Sequence, residues 1–441
     1  MIALAVPVVL SELGWMAHGV VDTIMVGRLG AGAIASVALG CAVYYPPSLF
    51  GLGLLLGLDT LVSQAYGRGD YDECHRWMAQ GIYLAIIITP PLMIAIALAS
   101  FGLAPLGIGR ELAQPAAGYL RVVNWGTPPL LIYFGTRRYL QAVGDSRVVT
   151  ITLLVSNVLN WFGNWVLIQG KLGMPALGIR GSALATVASR LFIALVLLGF
   201  AWRHERQRGH PLFRRWAAPN LMRLKELTRL SAPAAGQLLL EVGAWNVVTI
   251  SAGWLTPAVL ATHQIALNYV SLTYMVPLGI ASAAAVSVGH AVGAGDMARA
   301  RRDGWLALGL ATAFMLLAAA VFFTFPVPLI ALYTREPAVL AVGPSLLGLA
   351  AAFEIFDGIQ AVSTGALRGL GQTRTPMLAN LVGYWALGLP LGLVLCFTFH
   401  RGVYGLWIGL TVALIAIAST LLASWKRHSR IKESVQTCRT Q

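Results

Sequence analysis

Uncharged, largely apolar stretches of spanning length recur along the chain, at 31–58, 77–109, 148–170, 242–295, 304–334, 375–399 and 402–425. A helix needs about 20 such residues to cross the hydrocarbon of a bilayer, so the shorter stretches are single spans and the longer ones hold two. The stretch 242–295 breaks at Gly253-Trp254-Leu255-Thr256-Pro257, where glycine and proline punctuate a turn. Dividing the chain at such points predicts twelve helices, near 1–26, 34–64, 77–104, 115–140, 148–169, 178–202, 230–253, 257–291, 304–325, 338–366, 376–399 and 402–425. Met1 opens the first of these without a basic leader or a small-residue cleavage site, so it is expected to be a true span and not a signal peptide. The abrupt start also fits a chain that lacks a short natural extension.

Composition sets the solvent. Hydrophobic residues make up 57% of the 441, charged residues 11%, and the mean hydropathy is +0.73, whereas soluble domains carry about 25% charged residues. The expected fold class is an all-α membrane protein. Lys and Arg are retained on the cytoplasmic side of spans, and 23 of the 31 fall after even-numbered helices, against Arg28, Arg110, Lys171, Arg180, Arg335 and Arg401 after odd ones. Both termini are therefore expected in the cytoplasm. The net charge of +14 follows from this topology and from attraction to anionic lipid; no Arg-rich soluble face with interleaved aromatics points to nucleic acid. Cys41, Cys74, Cys396 and Cys438 form no CxxC pair, so neither a disulfide framework nor a zinc site is indicated.

The chain repeats itself. YGRGDYDECHR at 66–76 ends helix 2, and VGAGDMARARR at 292–302 ends helix 8, 226 positions on. Pro7 matches Pro233, and YLQAVGDSR after helix 4 matches ALRGLGQTR after helix 10. Six crossings return a chain to its starting side, so the two six-helix repeats are parallel. The expected division is an N-lobe at 1–202, a basic cytoplasmic linker at 203–229, a C-lobe at 230–425 and a cytoplasmic tail at 426–441. Transporters built from such repeats bind substrate and ions near the midplane.

Six of the 17 acidic residues lie within predicted spans: Glu12 and Asp22 in helix 1, Asp59 in helix 2, Glu241 in helix 7, and Glu354 with Asp357 in helix 10. An acid at the centre of a spanning helix costs about 3 kcal/mol to insert, so each needs water, a cation or a partner. Counter-charges are few, because only Arg121 and Arg190 fall well inside predicted spans, both in the first half. Glu354 and Asp357 share one helical face, and Glu241 opens the same half. His18 stands one turn before Asp22 and could tune it, although a lone histidine on a packed helix more often fills space; His263 and His290 have no carboxylate or thiol at metal spacing. No HExxH, GxSxG or phosphate-binding glycine loop occurs, so an enzyme is not expected and energy must come from an ion gradient. Pro7, Gly14 and Gly19, Pro46 and Pro47, and Pro277 with Gly279 mark points where helices 1, 2 and 8 could bend.

Six segments in order, VDTIMVGRLG (21–30), LDTLVSQAYGRGD (58–70), NWFGNW (160–165), THQIALN (262–268), VGHAVGAGD (288–296) and DGIQAVSTGALRGLGQ (357–372), resemble those of multidrug and toxic compound extrusion (MATE) transporters, particularly the NorM-like bacterial branch. The resemblance covers nearly the entire chain. It implies two six-helix lobes forming a V-shaped cavity in the bacterial inner membrane, and antiport of cationic, aromatic drugs, antibiotics among them, against Na⁺ or H⁺, with no cofactor. It places Asp22 as the N-lobe acid, Glu241 and Asp357 as C-lobe acids for cation or proton, and Asn160, Asn164 and Thr186 as polar N-lobe ligands. Phe353 stands where NorM-like proteins often have tyrosine, and Asn164 where some relatives have aspartate, which leaves Na⁺ and H⁺ both open. Glu354 is an additional acid beside the expected one, available to replace the lost ligand or to carry a proton.

A cavity rich in carboxylates favours lipophilic cations, and Trp15, Trp161, Trp245, Tyr269, Tyr274 and Phe353 are candidates to line it, an aromatic face contributing about 0.5–2 kcal/mol to a cation. Interfacial or packing use of each ring is the competing expectation. The expected partners are small cationic drugs and membrane lipid, and the protein is expected to be a monomer. A flippase for a lipid-linked precursor is the alternative; it would need a basic cavity to hold phosphate. A membrane receptor or intramembrane enzyme lacks its catalytic pair.

Overall fold

The computed structural model describes residues 2–102, 109–207 and 217–440, and these form helices and connecting turns with no strand among them. The helices are α1 (Ile2–Gly27), α2 (Ala31–Gly53), α3 (Gly57–Gly67), α4 (Tyr71–Phe101), α5 (Arg110–Val123), α6 (Thr127–Ala142), α7 (Ser146–Gln169), α8 (Ile179–Gln207), α9 (Leu221–Gly253), α10 (Pro257–Gly293), α11 (Met297–Thr324), α12 (Pro326–Ala331), α13 (Pro337–Gly369), α14 (Arg374–Asn380), α15 (Leu389–Leu393) and α16 (Gly402–Thr440). Ten stretches are long and apolar enough to cross a membrane. The other two expected spans are helical as well: 115–140 is α5 and α6 joined through a 3₁₀ turn at Asn124–Gly126, and 230–253 is the second part of α9. The twelve-helix expectation is met. Arg208, Arg214 and Arg215 of the expected linker lie outside the described residues.

The chain divides into two compact units, Leu10–Ala235 and a second made of Met1–Val9 with Gly236–Gln441. The repeated sequences fold alike in each. Gly69 and Gly295 take φ of 76° and 77°, a left-handed conformation that costs glycine nothing. The aspartate that follows caps the next helix: Asp70 accepts from the Glu73 N–H at 2.9 Å and Asp296 from the Arg299 N–H at 2.8 Å. At the turn expected between helices 7 and 8, α9 stops at Gly253, Thr256 caps α10 and Pro257 opens it.

Prolines are accommodated unevenly. Helices α1 and α10 run through Pro7 and Pro277 without interruption. The second span likewise runs through Pro46 and Pro47 and breaks only further on, at 54–56, where the Gly57 N–H donates to Ser231 Oγ at 3.0 Å. The eleventh span widens into π turns at Leu381–Gly388 and Val394–Thr398 on either side of α15. Pro390, which has no N–H for the carbonyl one turn earlier and whose ring crowds that turn, lies in α15 between the two π turns.

Small residues set the closest approach in the second unit. At Gly369 a Cβ would stand 2.7 Å from the Ala285 carbonyl oxygen, and at Gly365 it would overlap the Ala281 carbonyl. This Gly-x-x-x-Gly face lets α13 lie directly on the alanine-rich stretch 281–285 of α10, and α13 carries Glu354 and Asp357.

Candidate functional site

In the first unit, Glu12 and Asp59 are not short of counter-charge, contrary to the expectation from sequence. Arg137 and Arg138, near the end of α6, turn inward: Arg137 pairs with Glu12, and Arg138 Nη1 lies 3.3 Å from Asp59 Oδ2. Arg137 is 2% exposed and also donates to Tyr133 Oη and Ser11 Oγ. Two bases at the end of a span read from sequence as loop charge, because sequence does not reveal which way a terminal arginine points. Arg121, by contrast, is exposed.

Asp22 has no arginine in ion-pair contact and is held by neutral donors. Asn164 Nδ2 donates to Oδ1 at 2.7 Å and Thr186 Oγ1 to Oδ2 at 2.8 Å. Asn164 Nδ2 also reaches Asn160 Oδ1 at 3.1 Å, the pair lying one turn apart on one face of α7. Gly14 carries no side chain against α7, and its carbonyl accepts from Asn157 Nδ2 at 2.9 Å, fixing α1 there. The structure thus brings Asp22, Asn160, Asn164 and Thr186 into one constellation.

The second unit gathers Glu241, Glu354 and Asp357. Glu241, half-buried on α9, accepts from Tyr274 Oη and Asn380 Nδ2, both at 3.5 Å. These are long bonds that grip the carboxyl loosely. Tyr384, in the first π turn, is fully buried with its hydroxyl unpartnered, and lies within electrostatic range of Glu241 and Asp357. Glu354 is 0% exposed, with the Thr273 hydroxyl its nearby donor and no well-formed hydrogen bond among the described residues; Asp357 is 4% exposed. No basic side chain forms an ion pair with any of the three among the described residues. Two buried carboxyls and a half-buried one with no base paired to them among the described residues are costly unless a cation or proton joins them. Asn380 and Tyr384 were not singled out in the sequence. Asn380 and Tyr384, four apart in an apolar run, were the available signal.

The MatE family model matches residues 7–166 and again 233–394, the two matches beginning 226 positions apart, as the repeated motifs do. The chain belongs to the MatE family. A probable multidrug resistance protein NorM of Mesorhizobium japonicum is 38% identical over 437 residues, covering 98% of this chain and 94% of the relative. One of Burkholderia mallei is 35% identical over 436 residues, covering 97% and 92%. Among solved structures, a MATE protein in the bent conformation superposes with a TM-score of 0.90 at 18% identity, covering 99% of this chain and 96% of that one. A eukaryotic MATE transporter gives 0.86 at 22%, covering 98% and 97%. The structural likenesses bear on the fold alone, a multi-pass helical bundle.

The aromatic candidates of this MatE chain divide. Trp245 and Phe353 pack edge to face at 5.4 Å, each also against Trp407. Trp245 follows Glu241 by one turn and Phe353 precedes Asp357 by one turn, so this cluster borders the acids. Tyr274 contacts Glu241 directly. Tyr269 is committed elsewhere, donating to the Leu329 carbonyl at 2.8 Å and packing on Phe322 and Tyr333. In the first unit Trp15 stacks on Tyr133 at 5.8 Å. Trp161 is 51% exposed and joins neither constellation. His263 is locked between Trp407 Nε1 at 3.1 Å and Thr249 Oγ1 at 2.9 Å, so it serves packing.

Proposed function

We propose that the chain is a multidrug efflux antiporter that exports lipophilic organic cations in exchange for Na⁺ or H⁺ by alternating access, in the bacterial inner membrane with both termini cytoplasmic. The observation that carries this is the trio Glu241, Glu354 and Asp357, buried or half-buried without a basic partner. Such a site takes up a cation or proton and discharges it when a cationic drug displaces it, or when the cavity opens to the other side. Asp22, held by Asn164 and Thr186, supplies a second negative site in the other unit. The NorM names of the relatives point the same way. The unpartnered acids speak against a flippase holding a phosphate.

The test is transport in proteoliposomes with Na⁺ and pH gradients imposed separately. Asp357→Asn and Glu241→Gln should each abolish gradient-driven export of a cationic dye while leaving membrane insertion intact. Full activity in both variants would overturn the assignment.

A further inference from the structure

The start of α11 meets the last apolar turns of α16 in the second unit, so closely that a Cβ at Gly304 would overlap the Trp425 ring. As the ninth and twelfth spans, the two helices run antiparallel. With that contact as the seam and about 100° of turn per residue, Arg301, Trp305 and Arg302 stand about 60–160° around α11 from it, and Lys426 and Arg430 about 100–140° around α16. In an antiparallel pair the same rotation carries both sets to one side. The other side is filled, since Asp303 accepts there from Ser287 of α10 at 2.6 Å, and Ile417 of α16 packs where a Cβ at Gly383 of the eleventh span would stand. The first side is open: Arg302, Lys426 and Arg430 are exposed, Arg301 is half-buried, and Trp305 is 39% exposed.

Four cations gather on this side. Three of them, Arg302, Lys426 and Arg430, have no acidic oxygen within ion-pair distance among the described residues. Local structure does not call for the arginines, because cations in the first turns of a helix oppose its dipole. The repeated turn of the first unit is built with its charge balanced. Where VGAGDMARARR has Arg299, YGRGDYDECHR has Glu73, which pairs with Arg76 at 3.5 Å and with Arg223 through both oxygens, at 2.5 and 3.0 Å. The basic surplus is thus particular to the second unit. Toward the middle of the span the same side carries Gly309, Ser419 and Ala423, exposed and small, with open space beside Gly309, so an acyl chain can lie against both helices. Trp305 stands between this apolar strip and the cations, the level at which tryptophan marks a membrane interface.

We propose that this side of α11 and α16 binds an anionic phospholipid carrying two phosphates on one headgroup, one phosphate held by Arg301 and Arg302 and the other by Lys426 and Arg430. Arginine forks match phosphate oxygens in pairs, and basic pockets between spanning helices recognise such headgroups. Cations on both rims of the groove favour two phosphates over one, and the strip of Gly309, Ser419 and Ala423 beneath Trp305 favours a lipid over a soluble anion. The site uses none of the acids invoked for export, so its failure leaves the efflux reading untouched.

Native mass spectrometry of the detergent-purified protein, titrated with tetraoleoyl cardiolipin or with dioleoyl phosphatidylglycerol at matched charge, tests the assignment. The parent should retain cardiolipin in preference to phosphatidylglycerol. Arg301→Gln with Arg302→Gln, and separately Lys426→Gln with Arg430→Gln, should each weaken cardiolipin retention about tenfold or more, while Arg203→Gln with Lys225→Gln, which removes the same charge from exposed positions of the first unit, should change it less than about twofold. Arg301→Lys with Arg302→Lys keeps the charge and should stay within about threefold of the parent. An equal loss in the first-unit control, no loss in either rim variant, or a loss in the lysine variant as large as in the glutamine one overturns the proposal. So does phosphatidylglycerol retained as well as cardiolipin. Displacement of cardiolipin by millimolar inorganic phosphate would assign the cations to a soluble anion and overturn it too.

Discussion

The two units handle buried acid in opposite ways, and opposite effects on stability should follow. Glu12→Gln leaves the Arg137 guanidinium, 2% exposed, with only Tyr133 Oη at 3.2 Å and Ser11 Oγ at 3.3 Å. Breaking one side of a buried pair costs about 3–5 kcal/mol, because the remaining charge is stranded. For a unit of the size of Leu10–Ala235, each kcal/mol moves the melting temperature by about 2–4 °C, so the variant should melt about 6–20 °C below the parent. Replacing both partners, Glu12→Gln with Arg137→Met, removes the stranded charge and should recover most of that loss. Asp357→Asn should show the other sign. It removes an acid that no base compensates, so its melting temperature should equal or exceed the parent's. Tryptophan-fluorescence melting of detergent-purified protein measures all three variants. A Glu12→Gln melt within about 1 °C of the parent, or a double variant that melts no higher than Glu12→Gln, would refute the reasoning.

Two further outcomes are expected. Glu354→Gln should melt no lower than the parent, since no base among the described residues pairs with this buried acid and the amide keeps an oxygen for the Thr273 hydroxyl; a fall of more than about 5 °C would refute this. Gly365→Leu forces a side chain into the Ala281 carbonyl, an overpacking that costs about 1–3 kcal/mol or more. It should broaden or abolish the monodisperse size-exclusion peak, and an unaltered peak and melt would show that α13 and α10 are not so closely seated.

The twelve helices were legible because insertion into hydrocarbon is decided by local apolarity and length, both of which lie in the sequence. The internal geometry of the spans was less so. Pro7 and Pro277 looked like bends and lie in unbroken helix, while the interruption at 54–56 and the π turns around Pro390 depend on which neighbour accepts the released backbone groups. Asp22, Asn160, Asn164 and Thr186 could be assembled beforehand, from helical spacing and family likeness together. The arginines could not. Arg137 and Arg138 sit where a span meets its loop, and only packing shows them facing Glu12 and Asp59. Trp161 lies outside both clusters of acids, and an aromatic ring in a span has no sequence mark for the side it faces.

The distribution of charge separates structural from working groups. Glu12 and Asp59 meet fixed arginines, a permanent arrangement that no ligand need enter. Among the described residues Glu241, Glu354, Asp357 and Asp22 pair with no base and meet only neutral donors. A carboxyl left in that condition costs free energy that a transient cation offsets, so the same physics that makes it unfavourable at rest makes it responsive to ions.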